Sequence, residues 1–119
     1  MRNDKENLIV KKSFLFALQI IAFCELLEEK KKYIISNQLL KSATSIEANI
    51  KEAQNAESKL DFVHKMKIAT KEADETIYWL ELYHFAPNYP NCEELIDENR
   101  QLINILAKII SSSKTKSIG

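Results

Sequence analysis

The chain has 119 residues, of which 45% are hydrophobic and 29% are charged, so it is long enough to form one domain with its own core. Its 17 Lys and Arg residues balance its 17 Asp and Glu residues, so no net charge draws it to a polyanion. The only glycine is Gly119 and the two prolines are Pro87 and Pro90, so residues 1–86 contain no helix breaker, which excludes an ordinary β-domain and indicates an all-α fold.

The first predicted helix spans about residues 4–29 and is apolar on more than one side. Its apolar residues at helical spacing are Leu8, Phe14, Leu15, Leu18, Ile21, Ala22 and Leu26. Phe16, Ile20 and Phe23 widen this surface, and the polar run Glu28–Lys32 ends the helix without a glycine. An apolar arc this wide suits a helix that is buried on two sides.

The same segment can also be read as a lipoprotein export signal. Lys11 and Lys12 precede the run SFLFALQIIAFC, in which Cys24 would be the lipidated residue. However, Phe23 occupies the position where the signal peptidase needs a small residue, and the apolar run is too short to span a membrane. We therefore expect a cytoplasmic core helix and no membrane partner.

The second predicted helix, about residues 33–53, carries polar groups on its core face. One stripe at helical spacing consists of Leu39, Ser42, Ile46, Asn49 and Ala53. Leu39 and Ile46 direct this stripe towards a core. Ser42 and Asn49 then need hydrogen-bond partners inside the core, because an unpaired buried polar group costs about 1–3 kcal/mol.

The third predicted helix covers about residues 59–85, since Ser58 can cap its start and Pro87 prevents its continuation. Its core stripe is predicted to be Phe62, Met66, Ala69, Ala73 and Leu80. The adjoining stripe contains Ile68, Glu72, Glu75, Trp79 and Leu82. Glu75 is thus flanked by apolar residues. It is either a boundary carboxylate that reaches water or the buried partner of Asn49 or Ser42.

The fourth predicted helix covers about residues 92–110 and follows the loop Ala86–Pro90. Asn91 can cap this helix and Glu94 completes the capping box, while the Ser/Lys tail, residues 111–119, is expected to fray. Short connections between helices of similar length make neighbours antiparallel. The sequence therefore predicts a single domain, residues 1–119, folded as an antiparallel up-down-up-down left-handed four-helix bundle.

The fourth helix has more apolar surface than a monomeric bundle needs. Its main stripe is Leu95, Leu102, Leu106 and Ile109. Ile96, Ile103 and Ile110 form a heptad beside it, and we interpret them as an interface between copies of the chain. The alternative is a bulky core with a few exposed apolar residues, which is common.

No residue pattern supports catalysis, a metal or a cofactor. A di-metal bundle needs Glu-x-x-His motifs on two helices, whereas Glu81–His84 and Asp61–His64 both lie on the third helix. Cys24 and Cys92 lack metal-ligand spacing and are interpreted as buried thiols, with a disulfide as the alternative.

The segment Lys41–Glu52, KSATSIEANIKE, resembles the RSA-x-SI-x-ANI-x-E signature of the 23S rRNA intervening-sequence proteins, also called four helix bundle proteins. Asp61-Phe62, Ile68-Ala69 and Glu75 resemble a second, weaker block, and the resemblance extends over about residues 14–110. The positions that match the polar part of the motif are Ser42, Ser45, Asn49, Glu52 and Glu75. Lys41 replaces the usual Arg, and Ala53 replaces the Gly that often follows the Glu.

The resemblance implies a bacterial cytoplasmic four-helix bundle that assembles into a ring-like homopentamer. Relatives in this family include the accessory variability determinants of diversity-generating retroelements, which bind a reverse transcriptase and nucleic acid through a basic surface.

Two functional hypotheses follow. The first is a non-enzymatic, homo-oligomeric scaffold or adaptor that binds a protein partner. The alternative is a weak, electrostatic, sequence-independent RNA- or DNA-binding protein that uses Lys59, Lys65, Lys67 and Lys71. These lysines can also be read as an ordinary solvated helix face.

Overall fold

The computed structural model describes the backbone of residues 4–118 and the side chains of residues 8–113. It contains four helices, α1 (Asp4–Glu29), α2 (Tyr33–Ala53), α3 (Lys59–Phe85) and α4 (Glu93–Ile118), and no strand within the described residues. The all-α prediction is therefore confirmed. Residues 1–3 and 119, which the predicted domain and tail include, lie outside the described part of the chain.

The fourth helix is longer than the sequence predicted. The expected end near residue 110 is wrong, because α4 continues to Ile118. The Ser/Lys segment beyond residue 110 contains no proline, and its first glycine is Gly119, so nothing in its backbone chemistry ends the helix earlier.

Capping side chains fix the starts of α3 and α4. The Ser58 hydroxyl accepts the backbone N–H of Asp61 at 3.0 Å, and the Asn91 side-chain oxygen accepts the backbone N–H of Glu93 at 2.8 Å. Both contacts satisfy donors that have no partner within the first turn of a helix.

The turn between α1 and α2 is built without glycine. Lys31 adopts a positive φ of 62°, and the backbone N–H of Lys32 reaches back to the carbonyl oxygen of Leu27 at 2.9 Å. This is the Schellman arrangement with lysine at the position that usually carries glycine.

Each helix packs against two others. Cα atoms approach within 8 Å between α1 and α2, α2 and α3, α3 and α4, and α1 and α4. Over the described residues, α1 and α3 make no such approach, so they occupy opposite corners of a rod of 52 × 21 × 19 Å. The outer faces of α1 and α3 consequently point away from each other.

The inner face of α1 differs from the face that the sequence emphasised. The buried side chains of α1 include Ile9, Phe16, Ile20, Phe23 and Leu27. The residues that the sequence emphasised lie outside, and six of them are 43–50% exposed: Leu8, Phe14, Leu15, Leu18, Ile21 and Leu26. We call these six residues the α1 outer face. Periodicity could not choose between the two sides, because both are apolar at helical spacing.

None of the helices in the described range is long and apolar enough to cross a membrane.

Candidate functional site

Ser42, the first polar residue of the family motif, is fully buried and has a partner on the neighbouring helix. The Thr76 hydroxyl oxygen lies 3.0 Å from Ser42 Oγ, which links α3 to α2, and 2.8 Å from the carbonyl oxygen of Glu72 in its own helix. The Ser42 hydroxyl in turn donates to the carbonyl oxygen of Leu39 at 3.3 Å. Ser42 and Thr76 are each 0% exposed, so their hydroxyl groups form a hydrogen-bonded pair inside the core.

Of the two alternatives for Glu75, the structure agrees with a carboxylate that reaches water, and the buried pairing with Asn49 is wrong. Asn49 is half-buried, and its side-chain amide donates to the carbonyl oxygen of Ser45 in its own helix at 2.8 Å. Glu75 is exposed. One residue along a helix is a rotation of about 100°, so the inward position that the sequence gave to Glu75 belongs to Thr76.

The other motif residues lie at the surface or bond within α2. The Ser45 hydroxyl donates to the carbonyl oxygen of Lys41 at 2.7 Å. Glu52 is exposed and its Oε1 lies 3.0 Å from Lys65 Nζ on α3. The five motif residues therefore do not lie together in one site, and their surroundings differ from one another.

The lysine cluster divides into two parts. Lys65 is turned towards α2, where its hydrogen bond to Glu52 raises the pKa of the ammonium group. Lys59, Lys67 and Lys71 are exposed. Three exposed cations therefore remain on the first half of α3, rather than four, and the charge of one of them, Lys71, acts on the neighbouring Glu72.

Glu72 belongs to the stripe of α3 that adjoins the core stripe, and it is partly buried. Burial raises the pKa of its carboxyl group, and the neighbouring charge of Glu75 raises it further. These two carboxylates make the middle of α3 more acidic than its start.

Asn99 is a buried polar residue that the sequence reasoning missed. It is 0% exposed, and its amide donates to the carbonyl oxygen of Ala73 at 3.0 Å, while its Oδ1 is buried without a hydrogen-bond partner. A signal for it existed, because Asn99 lies between Leu95 and Leu102 in the apolar stripe of α4.

The residues of the predicted interface on α4 are largely covered by other parts of the same chain. Ile96 is only 6% exposed, and Ile103 and Ile110 pack partly against the core. Ile96 in particular has little surface left for a second copy. The α1 outer face offers much more exposed apolar surface than these three residues do.

A groove of about 720 Å³ runs between α1 and the start of α4, next to the α1 outer face. Its lining combines apolar residues such as Phe23, Leu26 and Leu95 with the carboxylates Glu93 and Glu94. In the described part of the chain, no group of three or more His, Cys, Asp or Glu residues could hold a metal ion.

Three ionisable side chains, Cys24, Cys92 and Tyr83, are buried in the described part of the core. Cys24 and Cys92 are free buried thiols, and burial raises the pKa of each. Tyr83 is 3% exposed and donates its hydroxyl to the carbonyl oxygen of Ile35 at 2.9 Å. Burial also raises the pKa of this phenol well above its ordinary value.

Comparisons with known proteins give a family. The sequence profile of the family described as 23S rRNA-intervening sequence protein matches residues 5–112. The chain is also similar to a crystal structure from Bacteroides thetaiotaomicron VPI-5482, described as a protein with unknown function from the S23 ribosomal protein family. The two chains are 39% identical, and the likeness covers 90% of this chain and 98% of that one with a TM-score of 0.85. No curated protein matches the chain. The resemblance carried by Lys41–Glu52 is thus confirmed, and the chain belongs to the 23S rRNA-intervening sequence protein family.

Proposed function

We propose that this protein is a non-enzymatic assembly module of the bacterial cytoplasm. Copies of the bundle associate through the α1 outer face, and the surface that remains free binds a protein partner. The observation that carries this proposal is the exposure of six apolar residues along a single helix.

The length of the α1 outer face sets it apart from scattered surface hydrophobics. Leu8 and Leu26 mark its ends, so it extends over about 27 Å at 1.5 Å per residue. Single exposed apolar residues are common on monomers, whereas a contiguous apolar strip typically marks an interaction site. Two buried thiols, which a reducing compartment preserves, support the cytoplasmic location.

Burial of the α1 outer face would contribute favourably to association. Burying a whole leucine or phenylalanine side chain is worth about 1.5–3 kcal/mol, so burying the exposed half of one is worth about 1 kcal/mol. Six such residues would supply about 6 kcal/mol for each face that is covered. Association and side-chain ordering offset part of that gain.

Within each copy we infer an antiparallel up-down-up-down, left-handed bundle. Contacts between α2 and α3 support the antiparallel direction: Ile35 pairs with Tyr83, Ser42 with Thr76 and Glu52 with Lys65, so numbers rise in one helix as they fall in the other. The left-handed twist is the usual packing geometry of such bundles. A ring of five copies is the assembly that the family resemblance favours.

Weak nucleic-acid binding is the second candidate, and the charge distribution on α3 favours it. Lys59, Lys67 and Lys71 are exposed on its first half, while the second half carries exposed carboxylates. An overall charge of zero therefore conceals a locally basic surface, which an oligomer would present several times. Binding of this kind should fade steeply with salt, and replacing Lys67 and Lys71 with Glu should abolish it.

Sedimentation equilibrium of two matched double variants tests the assembly proposal. Leu15→Ser with Leu18→Ser should dissociate the oligomer, because it removes apolar surface from the α1 outer face. Leu60→Ser with Leu82→Ser, on α3, also replaces two exposed leucines and should leave the mass of the assembly unchanged. A wild-type monomer at tens of micromolar, or equal effects of the two double variants, would contradict the proposal.

A further inference from the structure

A second exposed apolar surface lies on α3, far from the α1 outer face. Tyr78, Leu82 and Phe85 are 55%, 46% and 83% exposed. Their spacing of four and three residues puts them in one line along the helix. With Glu81 they line a shallow depression of about 400 Å³. We call these four residues the α3 patch.

The α3 patch remains available when copies join through α1. Helices α1 and α3 occupy opposite corners of the rod, so their outer faces point in opposite directions. The association proposed above would therefore leave Phe85 and Tyr78 exposed to solvent. Exposed aromatic residues on a helix are typical anchors of protein–protein contacts, because they bury much surface at little cost in entropy.

The charge around the α3 patch is negative. Asp74 and Glu75 are exposed one turn before Tyr78. Glu81 is paired with Arg100 on α4 at 3.1 Å, so that carboxylate is already neutralised. Two carboxylates without a partner cation thus flank an apolar line, which repels phosphates and attracts a cation next to an apolar group.

We infer that the α3 patch docks an amphipathic helix of a partner protein, with lysine or arginine residues at the edges of its apolar face. This rests on the proposed function, since it specifies the partner surface of the assembly module. The apolar face of the helix covers Tyr78, Leu82 and Phe85, and its cations lie next to Asp74 and Glu75. Docking a helix by residues spaced three and four apart is a recurring mode of peptide recognition.

The protein contains its own reporter for this docking. Trp79 is the single tryptophan of the chain, and its ring lies 5.0 Å from that of Tyr78 in an edge-on arrangement. A peptide that covers Tyr78 changes the surroundings of both rings. Tryptophan fluorescence of the full chain therefore follows occupancy of the α3 patch without a label.

The test is a fluorescence titration of the full chain with a synthetic amphipathic helix of about 18 leucine and lysine residues, long enough to form a helix on binding. A helix with glutamate in place of every lysine is the charge control. Phe85→Ser is the test variant and Leu60→Ser is its matched control, since both residues lie on α3 and both are 83% exposed. Glu75→Lys tests the contribution of charge.

The leucine–lysine helix should bind the wild-type chain, and Phe85→Ser should weaken binding by roughly tenfold or more. Leu60→Ser should leave the affinity unchanged, Glu75→Lys should lower it, and the glutamate helix should not bind. Absence of binding, equal binding of the two helices, or binding that Phe85→Ser does not weaken would overturn the inference.

Sedimentation of the same variants separates this inference from the proposed function. Phe85→Ser should keep the mass of the wild-type assembly. If Phe85→Ser dissociates it, a second copy occupies the α3 patch and the inference is overturned while self-association stands. A monomeric wild type that binds the helix through Phe85 would contradict the proposed assembly and support the inference.

Discussion

The hydrogen bond between Ser42 and Thr76 should contribute measurably to the stability of the fold. Thr76→Val replaces the hydroxyl with a methyl group, so it removes the 3.0 Å contact with Ser42 and also the 2.8 Å contact with the carbonyl oxygen of Glu72. The Ser42 hydroxyl keeps its weaker contact with the carbonyl oxygen of Leu39 at 3.3 Å. Ser42→Ala removes the same contact from the α2 side.

A buried hydrogen bond between neutral groups contributes about 1 kcal/mol, so each single variant should lower the free energy of unfolding by at least about that amount. The loss in the double variant should be about 1 kcal/mol smaller than the sum of the two single losses, because the bond between the two hydroxyl groups is counted twice in that sum. The expected coupling free energy between Ser42 and Thr76 is therefore about 1 kcal/mol.

Urea unfolding followed by circular dichroism measures these differences, at one fixed protein concentration because association adds to stability. Asn49→Leu is the contrasting variant. Its amide bonds only within α2, so we expect a change of less than about 0.5 kcal/mol. Additive losses in the Ser42 and Thr76 double variant would refute the proposed bond. A loss of more than about 0.5 kcal/mol for Asn49→Leu would indicate that the Asn49 side chain has a partner in the core.

Three further predictions concern buried groups. Asn99→Leu should raise the free energy of unfolding by about 1–2 kcal/mol in the same urea assay. The reason is that removing a buried oxygen without a hydrogen-bond partner outweighs the loss of the bond to the carbonyl oxygen of Ala73. A destabilised variant would show that this oxygen has a partner. Burial raises the pKa of Tyr83, so above pH 10 the phenol loses its proton in the unfolded chain but keeps it in the folded chain. The free energy of unfolding of the wild type should therefore fall with pH by about 1.4 kcal/mol per pH unit more steeply than that of Tyr83→Phe. Parallel pH profiles of the two proteins would count against a buried phenol. Cys24 and Cys92 should react with a thiol reagent only after urea unfolding, because burial keeps both thiols protonated and inaccessible, and rapid reaction of the native protein would disprove this.

Helix content and the presence of buried polar groups could be predicted because they depend on local chemistry. The absence of internal glycine and the capping residue Ser58 constrain the backbone directly. Ser42 was recognised as a core residue in need of a partner because it stands between Leu39 and Ile46. Thr76 stands in the same way between Ala73 and Leu80, so the same pattern marks it as the partner on α3 in place of the charged neighbour Glu75.

The choice between two apolar faces could not be made from the sequence. Phe16 and Leu18 are only two residues apart in α1, yet one is 1% exposed and the other is 48% exposed. Which of them faces inwards depends on the rotation of α1 against α2 and α4, a tertiary property that local periodicity does not contain. The same limit explains why Ile96 was expected at a surface and is buried instead.

If the proposed assembly forms, the α1 outer face lies between copies of the chain in solution. Hydroxyl-radical footprinting of the wild-type protein tests it most directly, by comparing Phe14 on α1 with Tyr78 on α3, which are 50% and 55% exposed in the single chain. Each rate of labelling is taken relative to that residue in the urea-unfolded chain. We expect strong protection of Phe14 in the concentrated protein, recovery of its labelling in the Leu15→Ser and Leu18→Ser double variant, and steady labelling of Tyr78 throughout. Labelling of Phe14 as rapid as that of Tyr78 in the concentrated wild-type protein would contradict the proposed assembly.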